Sequence, residues 1–177
     1  MRDRSERSLI TGALAGSESD LEALFIRCWP RAYRTAYLIV NDHAAAEDIA
    51  QEAFLAAVRR LERFDRHRRF DPWLNAIVAN RAIDWTRART ARRESGIDPT
   101  EIRAVAPEPA TDGYSPQVFA ALQSLPAEQR AVVVLRYVLE YTPGEIARAL
   151  ELPRGTVNSR LRRGLDALEN QLQDIDR

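Results

Sequence analysis

Few local structures suit the tetrapeptide Thr142-Pro143-Gly144-Glu145. Threonine fits an N-cap, proline the first helical position, and a glutamate three residues after the cap can reach back to the cap's own N–H, so a helix must begin here. Ile146, Ala147 and Leu150 give that helix one apolar face, and a three-residue turn leads to Pro153, which suits the opening of a second helix. Val157, Leu161 and Leu165 recur every four residues and are expected to pack inward. Arg154, Thr156, Asn158, Ser159, Arg160, Arg162 and Arg163 are then left on the outer face. Amide and hydroxyl side chains near the start of such a helix can reach base edges in a major groove, while arginine can pair with guanine or with phosphate. The competing picture is a solvated arginine-rich helix in a plain bundle, and the capped first helix with its tight turn weighs against it.

The rest of the chain has helical periodicity and no convincing alternating strand, which predicts an all-α protein. Ser19 with Glu22 resembles a capping box, and Leu21, Leu24, Phe25 and Cys28 follow at helical spacing. Pro30 is expected to break this helix or open a new first turn. Asn41 and Asp42 are expected to cap the next helix, running to about Phe64. From Glu94 to Pro116 the pattern gives way to Gly96, Pro99, Pro107, Pro109, Gly113 and Pro116 among acidic residues, the composition of a flexible linker. Two small helical domains are therefore expected, residues 1–93 and 116–177, joined by an acidic linker over 94–115.

Formal net charge is zero, which taken alone argues against a nucleic-acid partner. The average conceals a sorting of charge. There is no lysine, and between Arg59 and Arg93 eleven arginines face only Glu62, Asp65, Asp71 and Asp84. The stretches Glu18 to Glu52 and Glu94 to Asp112 are acidic in excess, as expected for separate surfaces with separate partners. Arginine in place of lysine follows from a GC-rich genome; the clustering does not.

Cys28 is the one cysteine, so no internal disulfide forms, and a reducing cytoplasm fits best. No apolar h-region follows the N-terminal arginines, and the longest apolar run, Ala131 to Leu135, is far too short to span a bilayer. His43, His67 and Cys28 give no metal cluster or nucleophile arrangement, and no glycine-rich phosphate loop occurs, so neither catalysis nor a cofactor is expected.

Two further faces stand out. Ile49, Ala50, Ala53, Phe54, Ala57 and Leu61 form one helical stripe, whereas Asp48, Gln51, Glu52 and Leu55 lie on a separate side. A leucine beside carboxylates and an amide suits docking to a basic protein surface, although acidic residues on a helix more often serve solvation. Downstream, Phe64, Arg66, Arg68, Arg69, Phe70 and Trp73 interleave rings with positive charge, as expected for holding unstacked single-stranded bases. Trp73 and Trp85 are at least as well suited to a core as to a contact, so Phe64 is favoured over them; Asp84 is placed to pair with Arg87 one turn on.

The segments Leu125-Pro126-Ala127-Glu128-Gln129-Arg130, Leu135-Arg136-Tyr137, Glu145-Ile146-Ala147 and Gly155-Thr156-Val157-Asn158-Ser159-Arg160-Leu161 together resemble the C-terminal domain of extracytoplasmic-function sigma factors. Ala46-Glu47-Asp48-Ile49-Ala50-Gln51-Glu52-Ala53-Phe54 and Trp73-Leu74 through Asn80-Arg81-Ala82-Ile83-Asp84 independently resemble the N-terminal domain of the same family. The resemblance implies a C-terminal domain that reads the minus thirty-five promoter element and touches the polymerase flap. It also implies that Asp48, Gln51, Glu52 and Leu55 bind the clamp helices of core RNA polymerase. Asn80 would hydrogen-bond an extruded minus ten base, with Arg81, Arg87 and Arg89 on backbone phosphates. Family members are commonly held inactive by an anti-sigma factor. One departure is Glu151, where the family usually has a glycine in the turn; it is expected to sit at positive φ or in an altered turn. The alternatives are a helix-turn-helix regulator that binds duplex DNA alone, which needs neither the acidic docking face nor the ring-and-arginine block, and a helical adaptor with no nucleic-acid role.

Overall fold

A computed structural model describes residues 5–95 and 115–175, and the described residues contain helices and no strand. The expected linker, apart from its ends at Glu94, Ser95 and Ser115, lies outside them. The N-terminal half comprises α1 (Glu6–Leu14), α2 (Glu18–Val40), α3 (His43–Arg59), a 3₁₀ turn (Leu61–Arg63) and α4 (Phe70–Glu94). The C-terminal half comprises α5 (Pro116–Ser124), α6 (Ala127–Tyr137), α7 (Pro143–Ala149) and α8 (Arg154–Ile175).

Several local expectations need correction. Helix α1 was not anticipated; it is capped by Ser5 and buries Leu9 and Ile10. Helix α2 is capped by Ser17 rather than Ser19, its hydroxyl accepting from the Asp20 N–H at 3.3 Å. It also runs unbroken through Pro30. Proline removes the hydrogen bond to the Ile26 carbonyl, but both residues are exposed, so that loss falls on the solvent side of the helix where it is cheapest. Asn41, in the left-handed region at φ 52°, closes α2, and Asp42 alone caps α3. Helix α3 ends at Arg59, so Phe64 stands beyond a separate turn.

Helices α2, α3 and α4 pack on one another through the stripe from Ile49 to Leu61, all of it buried. The N-cap of α4, Arg69, makes no side-chain capping bond; Glu6 of α1 supplies the acceptor, taking the Phe70 N–H at 2.8 Å. The C-terminal half does not stand apart. Helices α5 and α6 pack on α2, and α6 and α7 on α4, so a single apolar core runs across both halves.

Polar bonds fix this packing at the end of α2, whose last carbonyls have no partner within their own helix. Gln123 of α5 donates to the Leu38 carbonyl at 2.9 Å, and the Arg130 guanidinium of α6 donates to the Ile39 carbonyl. Arg130 also donates to the Gln123 side chain (2.6 Å) and to the Gln123 and Leu125 carbonyls (2.6 and 2.8 Å). Burial pulls its pKa down to about 10. A charged end group at the negative end of the α2 dipole is thus supplied from the other half of the chain.

Candidate nucleic-acid interface

Helix α7 opens with the full capping box: the Glu145 N–H donates to Thr142 Oγ1 at 3.3 Å and the Thr142 N–H to Glu145 Oε2 at 2.7 Å. Those bonds to the Thr142 backbone and hydroxyl hold the Glu145 carboxyl below its usual range, with Arg148 and Arg69 adding to the effect. Helix α7 ends in a six-to-one bond from the Leu152 N–H to the Ala147 carbonyl at 2.9 Å, with Glu151 at φ 52°. This is the Schellman arrangement, in which glycine is the usual occupant of the left-handed position. The turn therefore keeps its geometry and Glu151 carries the strain.

Helix α8 then presents Arg154, Asn158, Arg162 and Arg163 to solvent, with Thr156, Ser159 and Arg160 half-buried at its flank. Val157 and Leu161 are buried, but Leu165 is 39% exposed, because the inward face drifts to Gly164, whose missing side chain lets α8 approach Val133 of α6. The Ser159 hydroxyl is engaged by the Thr156 carbonyl (3.0 Å) and by Arg163 (3.3 Å).

On α3, Asp48, Gln51, Glu52 and Leu55 are all exposed, Leu55 at 56%. Glu52 is not free of contacts: Arg81 of α4 pairs with it at 2.5 Å. The expected polymerase face and the expected DNA face thus meet at one exposed ion pair, worth at most about 1 kcal/mol.

The ring-and-arginine block divides. Phe64 and Phe70 are 7% and 0% exposed and pack edge-on at 5.6 Å, so neither offers a ring face to a base. Trp73, which the sequence ranked below Phe64, instead lines a cleft of about 690 Å³ together with Arg60, Arg68, Arg69 and Asn80. Arg68 pairs with Asp65 at 3.4 Å, and Asn80 is exposed. Arg89 pairs with Asp42 at 3.2 Å beneath Trp85, and Arg87 turns toward Glu128 of α6, with the looser Asp84 contact at 3.9 Å. The other wall of the cleft is Glu145, Arg148, Ala149 and Glu151.

The described residues thus hold an exposed acidic face on α3 and, in the other half, a capped helix-turn-helix. Residues 24–92 match the model of sigma-70 region 2, and residues 116–168 that of sigma-70 region 4. The ECF RNA polymerase sigma factor SigW of Bacillus subtilis is 33% identical over 160 residues, spanning 82% of this chain and 84% of SigW. The chain belongs to the extracytoplasmic-function sigma factors. CarQ of Myxococcus xanthus is 31% identical over 91% of this chain and 94% of its own. Among solved structures, this sigma factor superposes on RpoE of Bartonella quintana, held by the anti-sigma factor NepR, with a TM-score of 0.71 and 25% identity over 89% of this chain and 99% of RpoE. It superposes likewise on CnrH in complex with the cytosolic domain of CnrY, with a TM-score of 0.70 and 26% identity over 97% and 99% of the two chains.

As a member of this family the protein is an RNA polymerase sigma factor that directs transcription. Some of its organising residues escaped the sequence. Arg130 and Glu128 sit in the motif Leu125 to Arg130, yet nothing local reveals that they bond to α2 and α4. Tyr141 is 5% exposed and enters the N-terminal half beside Asp71 and Asn75. Asn75 is itself fully buried, 2.8 Å from the Thr35 hydroxyl. Cys28 is buried, and burial and then Asp71 push its thiol up to about 12, far from a reactive thiolate. Among the described residues no cluster suits a metal ion, and no helix is long and apolar enough to cross a membrane.

Proposed function

We propose that the protein carries core RNA polymerase to a two-part promoter, binding duplex DNA through one half and unpaired bases through the other, without bond chemistry of its own. Asp48, Gln51, Glu52 and Leu55 dock on the clamp helices of the polymerase, and the C-terminal half touches the flap. Helix α8 lies in the major groove of the minus thirty-five element. There Thr156, Asn158 and Arg160 approach base edges and Arg154, Arg162 and Arg163 hold phosphates. Ser159 is assigned a backbone contact, since its hydroxyl is already engaged.

Asn80 accepts and donates to an extruded minus ten base, Trp73 supplies the stacking face, and Arg68, Arg69, Arg81 and Arg87 track the strand. Phe64 and Phe70 support Trp73 from below. The observation that carries this reading is the convergence of Asn80, Trp73, Arg68 and Arg69 on one cleft wall. An anti-sigma factor that covers these surfaces would keep the protein inactive, in line with the complex of RpoE with the anti-sigma factor NepR.

The test is co-purification with core polymerase followed by run-off transcription from a promoter mapped by its transcript starts. Asp48→Arg should abolish co-purification; Asn80→Ala and Arg160→Ala should leave it intact and lower promoter-directed transcripts. Duplex binding with no polymerase association would point to a free-standing regulator instead.

A further inference from the structure

The cleft of about 690 Å³ gathers positive charge from both halves of the chain. Arg60, Arg68, Arg69 and Arg148 line it against two carboxylates, Glu145 and Glu151, so cations exceed anions by two. Arg68 is engaged by Asp65 at 3.4 Å, whereas Arg60, Arg69 and Arg148 form no ion pair among the described residues. Glu145 already accepts from the Thr142 N–H and hydroxyl, at 2.7 Å each. Arg148 and Arg69, from opposite walls, both add to the pull that holds its carboxyl below the usual range, so their charges converge on one place.

The floor of the same cleft is of another kind. Trp73, Ile77 and Asn80 recur every three to four residues on α4, which sets ring and amide about 10 Å apart along one face. Trp73 is half-buried and braced by Phe64 and Phe70, with centroids 4.9 and 5.6 Å away. Asn80 is exposed and offers both a donor and an acceptor. Ring, apolar floor and amide suit a flat heterocycle with a polar edge, and the arginines at the start of α4 and on α7 suit phosphate. The volume falls within the range of roughly 300–1,000 Å³ usual for small-molecule sites.

We propose that this cleft binds a free nucleoside di- or triphosphate, with its base over Ile77 between Trp73 and Asn80 and its phosphates among Arg68, Arg69 and Arg148. A bare phosphate chain would leave ring and amide unused, and an uncharged nucleoside would leave the excess cations unbalanced. The site goes beyond the holding of promoter bases, which uses the N-terminal wall alone; Arg148 of α7 is what a free nucleotide adds. Bound there, the ligand ties α4 to α7.

The test titrates the full chain with ATP and with GTP in magnesium-free buffer by isothermal calorimetry, with adenosine and inorganic triphosphate as the two part-ligands. At least one nucleotide should bind tenfold or more tighter than either part-ligand. Arg148→Ala should weaken it roughly tenfold, the scale of one charge-assisted hydrogen bond. Glu151→Gln, which removes a like charge from the cleft, should tighten it severalfold; circular dichroism checks that both variants keep their helicity. No binding of either nucleotide up to about 1 mM, inorganic triphosphate bound as tightly, or an affinity indifferent to Arg148→Ala would each overturn the site. The promoter-base assignment is judged apart, by the loss of promoter-directed transcription in Asn80→Ala, which stands or fails whatever the nucleotide titration gives.

Discussion

Phe64 and Trp73 face each other with ring centroids 4.9 Å apart and planes tilted by 37°, Phe64 beneath and Trp73 at the cleft. The contact assigns them different duties. Phe64→Ala should remove about 3–5 kcal/mol of stability through the cavity it leaves. Trp73→Ala should cost less and weaken single-stranded DNA binding by about 1–3 kcal/mol. Urea denaturation and fluorescence anisotropy separate the two; Phe64→Ala that keeps its stability but loses DNA would return Phe64 to the contact surface.

Arg130 sends its guanidinium into the end of α2 and to two carbonyls of its own segment. Arg130→Ala orphans buried acceptors in both halves at once, and the expected loss is about 3–5 kcal/mol. Chemical denaturation should show the two halves unfolding less cooperatively. A loss below 1 kcal/mol would mean that water replaces the guanidinium there.

Burial first, and then Glu6, raises the Asp71 carboxyl above its usual value, against the pull of Arg31. The folded state therefore holds this proton more tightly than the unfolded chain does. The contribution to stability is complete below the unfolded value and is lost as pH rises through the folded one. Relative to Asp71→Asn, wild type should lose stability progressively as pH rises above the ordinary carboxyl value of about 4. Stability profiles of the two proteins that stay parallel as pH rises from about 4 would contradict the sign.

Glu151 occupies the left-handed corner of the helix-turn-helix at φ 52°. Glycine there relieves backbone strain of roughly 1–2 kcal/mol, partly offset by the entropy of a freer unfolded chain. Glu151→Gly should raise Tm by about 2–4 °C for a net gain near 1 kcal/mol. Glu151→Ala, which keeps the strain, should not.

On α8, Arg162→Ala should lower the slope of log affinity against log salt by about 0.9, evenly across sequences. Asn158→Ala should instead relax preference at one base pair by about 1–3 kcal/mol. Duplex binding across salt concentrations and single-base variants of the mapped promoter distinguishes a phosphate contact from a base contact.

The sequence alone determined whatever depends on neighbours within a turn or two. The Thr142 capping box, the helical stripe from Ile49 to Leu61 and the exposed series Asp48, Gln51, Glu52 and Leu55 are all matters of local spacing, so periodicity exposes them. Even the strain at Glu151 was legible, because a helix end of this kind needs a left-handed residue whatever surrounds it. Pro30 and Ser19 misled for the converse reason: solvent tolerates one free carbonyl, and Ser17 is an equally good cap two residues earlier. Tertiary structure alone decided that Phe64 is floor and Trp73 is wall, since burial depends on what α4 packs against. It also decided that Arg130 ends α2, that Glu6 caps α4 and that Arg87 meets Glu128. Each of these bonds joins residues 41 to 91 positions apart, and a charge or a ring carries no local mark of so distant a partner.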